Sequence, residues 1–166
     1  MNQMTIELGI MLDGLKKKEK ALKEILAITE NQQTVIKSAI AFDEVRRLVF
    51  EMNQGKQDAI TIVKDCDNMF ESMLKQIGKE LEETQSQYAD QVKVMQSHIR
   101  RIMDLDVKIR ATEEENNKLL DARRDEEAPA SNQAAGSSKL KPKVTMPTNS
   151  AQVIEAYKQG HKNFKG

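Results

Sequence analysis

Apolar residues recur every three or four positions through most of the first 127 residues, and no proline interrupts the chain before Pro129. That spacing predicts long α-helices, each burying one face, because a half-buried strand would alternate at every second residue. The first run, Leu8, Met11, Leu15, Lys18, Leu22, Ile25, Thr29, Gln32, Ile36 and Ala39, is apolar at seven of ten positions, and Leu12, Leu26 and Ile40 widen it. The second, Val45, Val49, Met52, Lys56, Ala59, Val63, Cys66, Phe70, Met73 and Ile77, is apolar at nine of ten, which makes it the best candidate for a buried helix. The third, Tyr88, Val92, Met95, Ile99, Ile102, Asp106, Ile109, Glu113, Asn116 and Leu120, starts apolar and turns polar, so its last turns are expected at an exposed tip.

One helix from Leu8 to Arg124 would be about 175 Å long at ~1.5 Å per residue, so reversals are expected. At Ala41-Phe42-Asp43-Glu44, Asp43 can cap a new helix, Glu44 suits its positive end, and Phe42 can staple onto the following turn. A second reversal is expected between Gly78 and Gln87, where Thr84-Gln85-Ser86-Gln87 matches a capping box. Gly55 lies in a polar stretch of the second run, yet the stripe keeps its phase across it, which favours a continuous helix. The expectation is an all-α fold: an antiparallel bundle of three long, coiled-coil-like helices over about 4–40, 43–80 and 85–125, within a domain of residues 1–127. Matching lengths let each apolar stripe find a partner from end to end.

Aromatic residues are 4% of the 166 and Trp is absent, which suits a narrow core of Leu, Ile, Val, Met and Ala better than a wide globular interior. The formal charge sums to zero, but unevenly: residues 1–127 hold 20 Lys/Arg against 25 Asp/Glu, while residues 128–166 hold six Lys and one Glu. Residues 128–149 read as a flexible basic linker of Ala, Ser, Gly, Lys and Pro, and residues 150–166 as a short amphipathic segment with Val153, Ile154 and Tyr157 on one face. The single Cys66 gives no sign of an oxidising compartment, the N-terminus has no secretory pattern, and no stretch is apolar enough to span a membrane. A cytoplasmic protein without membrane insertion is expected.

Catalytic chemistry finds few candidates. Neither His98 nor His161 has a second His or Cys at ligand spacing, Cys66 falls on the second stripe as a core residue would, and the glycines form no phosphate-cradling pattern. Glu113-Glu114-Glu115 and Asp125-Glu126-Glu127 point around a helix rather than converging, as solvated faces do. The basic cluster Lys16, Lys17, Lys18, Lys20 and Lys23 is interleaved with Glu19 and Glu24, has no aromatic neighbours, and belongs to an acidic bundle, which disfavours nucleic acid. The expectation is therefore a non-enzyme with no metal and no cofactor. Nine methionines supply apolar surface that adapts to a partner; most fill the core, while Met69 and Met103, at the stripe edges, are candidates for a partner-facing surface. Polar stripe members Thr29, Gln32, Asp106 and Asn116 are read as setting helix register or lining a groove.

Local strings add a resemblance. Asp67-Asn68-Met69-Phe70-Glu71-Ser72-Met73-Leu74 precedes Lys79-Glu80-Leu81, then Tyr88-Ala89-Asp90-Gln91-Val92, Met95-Gln96, Ile99-Arg100, Ile102-Met103-Asp104, Val107-Lys108-Ile109 and Glu114-Glu115-Asn116-Asn117, with a terminal Ala156-Tyr157-Lys158 after a Ser/Lys-rich linker. Over roughly residues 8–120 and the end of the tail, this pattern resembles the flagellar export chaperones of the FlgN family and the related FliT group. The resemblance implies binding of the C-terminal helical region of flagellar hook-associated (junction) proteins or of the filament cap protein, which prevents premature assembly. Export-gate or export ATPase components would be further partners, and the chaperone a monomer or weak homodimer. The tail residues expected to touch a partner are Val153, Ile154 and Tyr157, with Phe164 as a further contact. The competing expectation is a coiled-coil adaptor or structural protein acting by homo-oligomerisation.

Overall fold

A computed structural model describes residues 2–127. The expected linker at 128–149 and amphipathic segment at 150–166, with Val153, Ile154, Tyr157 and Phe164, lie outside the described residues. Among those described, the fold is all-α: α1 (Gln3–Ile36), α2 (Phe42–Glu83) and α3 (Ala89–Glu127), with a 3-10 turn at Gln85–Tyr88 ahead of α3. At ~1.5 Å per residue the helices span about 51 to 63 Å. α1 and α2 run antiparallel, so that Lys18 meets Asp67 while Gln32 meets Asn53. α3 returns parallel to α1, bringing Tyr88 to Asn2 and Asn116 to Thr29.

Both reversals fall where expected, but their chemistry differs. α1 ends at Ile36, four residues before the expected Ile40, and Lys37 N–H and Ser38 N–H donate to Gln33 O and Val35 O at 3.0 and 3.1 Å. The released carbonyls are taken up from across the bundle: the Arg123 guanidinium donates to Ile36 O at 3.0 Å, Ser38 O at 3.2 Å and Ile40 O at 2.6 Å. Asp43 does not cap α2. Ala41 occupies that position without a side-chain bond, and Asp43 and Glu44 lie in the first turn, where their charge faces the positive helix end. Phe42 packs beside cations, its ring 5.9 Å from the Arg46 guanidinium and 6.0 Å from that of Arg123.

Thr84 ends α2 instead of starting α3. Its hydroxyl donates to Glu80 O at 2.8 Å, and its carbonyl accepts from Gln87 N–H at 3.0 Å, so the expected capping box does not form. At the start of α1, Asn2 is a true cap: its Oδ1 accepts from Thr5 N–H at 2.8 Å. α2 passes through Gly55 and Gly78 without a break.

The main core runs from Met4 and Leu8 of α1 to Ile109 of α3 and includes Val63, Phe70, Leu81, Ile99 and Ile102. A small second cluster, Ile36, Val45 and Val49, lies at the end where α1 turns into α2, with Leu119 and Leu120 of α3 packed on it. In the second stripe Asn53 is buried and Met52 only half-buried, so an amide takes the place expected for a methionine. α1 packs closely along both neighbours, whereas α2 and α3 approach each other at few points. No helix among the described residues is long and apolar enough to cross a membrane.

Candidate functional site

Polar residues on the stripes are buried in the bundle and grouped. Near its middle, Lys18 of α1 pairs with Asp67 of α2, both almost wholly buried, with Asp106 of α3 near enough to add its field. Burial pushes the Lys18 ammonium below its ordinary value, and the two carboxylates oppose that shift. Lys18 is thus withdrawn from the expected basic cluster. Beside it, Glu19 Oε1 lies 2.8 Å from His98 Nδ1 and accepts from Arg101 Nε at 3.2 Å, while Oε2 lies 3.3 Å from Lys23 Nζ. Burial alone would raise the Glu19 carboxyl; hydrogen bonds from His98, Lys23 and Arg101 outweigh it and hold the group below the usual carboxylate range. His98 joins α3 to α1.

A second polar group separates the two apolar clusters. Gln32 Nε2 donates to Asn53 Oδ1 at 2.5 Å and to Val49 O at 3.2 Å, and Asn116 Nδ2 donates to Thr29 O at 2.9 Å. Lys56 of α2 faces Glu113 of α3 at 3.5 Å, an ion-pair distance. Burial lowers the Lys56 ammonium and raises the Glu113 carboxyl, each against the pull of its partner. These contacts correct the expected exposed tip: α3 turns polar after Ile109 because it meets buried polar groups on α1 and α2. Thr29, Gln32 and Asn116 therefore act in register, joining particular levels of the three helices.

Beyond this layer, where α3 ends, an open cleft of about 310 Å³ is bounded by Ile36, Lys37, Ser38, Leu119, Ala122, Arg123 and Glu126. Its floor is apolar and its rim carries both charge signs. Phe50, one residue beyond the Val49 of the small core, is 51% exposed, and Ile40 in the adjoining turn is 40% exposed. Neither expected methionine lies here. Met69 is half-buried with its methyl group against Gly14 of α1, and Met103 packs on the main core. The cleft escaped sequence reading because Leu119 and Ala122 sit in a polar stretch of α3 and meet Ile36 only in the folded chain.

Among the described residues no cluster of His, Cys, Asp and Glu is arranged to hold a metal. Cys66 is buried, and burial pushes its thiol upward, away from the thiolate that a nucleophile requires. Comparison with family models, with curated proteins and with solved structures yields no match. The geometry defines a class of architecture: a three-helix bundle with layered buried polar groups and a mixed apolar and charged cleft at one end.

Proposed function

We propose that the protein is a non-catalytic, cytoplasmic export chaperone of the flagellar type, binding the C-terminal helical region of a hook-associated or filament cap protein and holding it from premature assembly. The observation that carries this reading is the terminal cleft. Its apolar lining of Ile36, Leu119 and Ala122, with exposed Ile40 in the adjoining turn, suits anchor side chains spaced i, i+3 and i+4 on a partner helix. Lys37, Arg123 and Glu126 at the rim supply charge that orients such a helix. The cleft lies between the end of α1 and the last turns of α3, so a partner helix seated there leaves the buried Lys56–Glu113 pair between α2 and α3 in place. The resemblance of the sequence to FlgN and FliT chaperones names the client.

The test is fluorescence anisotropy of the full chain with labelled C-terminal helical peptides of a hook-associated and of a cap protein. Saturable binding of one peptide is expected, weakened at least tenfold by Ala122→Arg or Leu119→Ser with helix content unchanged. Absence of binding to either peptide, together with a stable dimer in sedimentation, would replace this reading with a coiled-coil adaptor. A chain truncated after Ala128 separates the contribution of the tail.

A further inference from the structure

We propose that the recess between Gln32, Asn53, Lys56, Glu113 and Asn116 holds one ordered water molecule that links α2 to α3. Its volume is about 20 Å³, and a single water needs roughly 10–15 Å³ of such space together with two to four polar partners. The partners are present. Asn116 Nδ2 is committed to Thr29 O, which leaves its Oδ1 as the end without a protein hydrogen bond. Glu113 Oε1 is likewise buried without one, 3.5 Å from Lys56 Nζ. All three groups line the same recess.

A water there donates one hydrogen to Asn116 Oδ1 and the other to Glu113 Oε1, and accepts from Lys56 Nζ. Two buried acceptors left empty would cost about 1–3 kcal/mol each. Ile36, Val49 and Leu120 form the apolar part of the lining, and the space of about 20 Å³ next to the polar groups suits one water. A metal cation is disfavoured by the Lys56 ammonium, which already occupies the field of Glu113. The bridge adds a polar link between two helices that otherwise meet at few points.

Oxygen-17 relaxation dispersion of the full chain in water tests the site, because it counts slowly exchanging water oxygens and is blind to labile side-chain hydrogens. The wild type is expected to show a slow component. Asn116→Leu, which removes an acceptor, and Val49→Ile, which adds a methylene to the wall, should each lose one water's worth of amplitude while keeping the helical circular dichroism. A wild type with no slow component, or two folded variants that both retain the full amplitude, overturns the assignment. If either variant loses its helical signal, the wild-type amplitude and the other variant decide.

Discussion

Lys18 of α1 and Asp67 of α2 form an ion pair at the middle of the bundle with 1% and 2% of their side-chain surface exposed. Taking two charges out of water is costly, and the pair offsets that cost only while both partners are present. Lys18→Met alone removes the ammonium that Asp67 faces in the interior and is expected to lower unfolding free energy by about 3–5 kcal/mol. Lys18→Met with Asp67→Leu should recover most of that loss. Urea denaturation of the two variants beside the wild type measures both, and equal stability of the single and double variants would refute the coupling.

Glu113 sets a pH dependence. Burial raises its folded carboxyl above the ordinary 4.5 even though Lys56 pulls the other way. Above pH 4.5 the unfolded chain releases this proton first, so the stability contributed by folded, protonated Glu113 is full below that value and declines as pH rises through the folded pKa. In Glu113→Gln that decline is absent. The difference in unfolding free energy, wild type minus variant, should therefore fall between pH 4.5 and neutrality; a constant or rising difference contradicts the assignment.

Two glycines of α1 and α2 should respond differently to alanine. A Cβ on Gly55 would meet nothing within 4 Å, so Gly55→Ala gains helix propensity alone, about 0.8–1 kcal/mol. A Cβ on Gly14 would collide with the methyl end of Met69, and displacing that flexible side chain offsets part of the same gain. Thermal unfolding should rank Gly55→Ala above Gly14→Ala, with the order equalised when Met69→Ala is added to the latter.

Arg123 closes α1 from a distance of more than eighty residues along the chain, donating to the carbonyls of Ile36, Ser38 and Ile40. Arg123→Ala should cost about 1–3 kcal/mol and speed amide exchange at residues 37–42. Arg123→Lys should restore only part, since an ammonium lacks the planar fork that reaches several acceptors together. Exchange at those residues identical to wild type in Arg123→Ala would show that the turn holds itself.

Much of the fold was legible because helix periodicity is local. Val45, Val49, Val63, Phe70 and Ile77 sit four, seven or fourteen residues apart whatever they pack on, and each is buried. The errors share a cause. Met52 carries the hydropathy of a core residue and Asn53 does not, yet Asn53 is the buried one, held by its bond to Gln32 from another helix. Thr84 had the right residues for an N-cap, and the neighbouring α2 carbonyl at Glu80 took its hydroxyl instead.

By itself the sequence determined three helices, their approximate lengths and the two regions where the chain turns back, since the apolar spacing and its interruptions act over a few residues, whereas the caps expected at Asp43 and Thr84 did not form. Only the tertiary structure decided which polar side chains are buried together. Lys18 with Asp67, Lys56 with Glu113 and Asn116 with Thr29 are separated by tens of residues, and each becomes stable only when two helices in register remove it from water. The cleft formed by Ile36, Leu119 and Ala122 has the same origin: its walls come from the C-terminal ends of α1 and α3, more than eighty residues apart, and only their packing makes a surface.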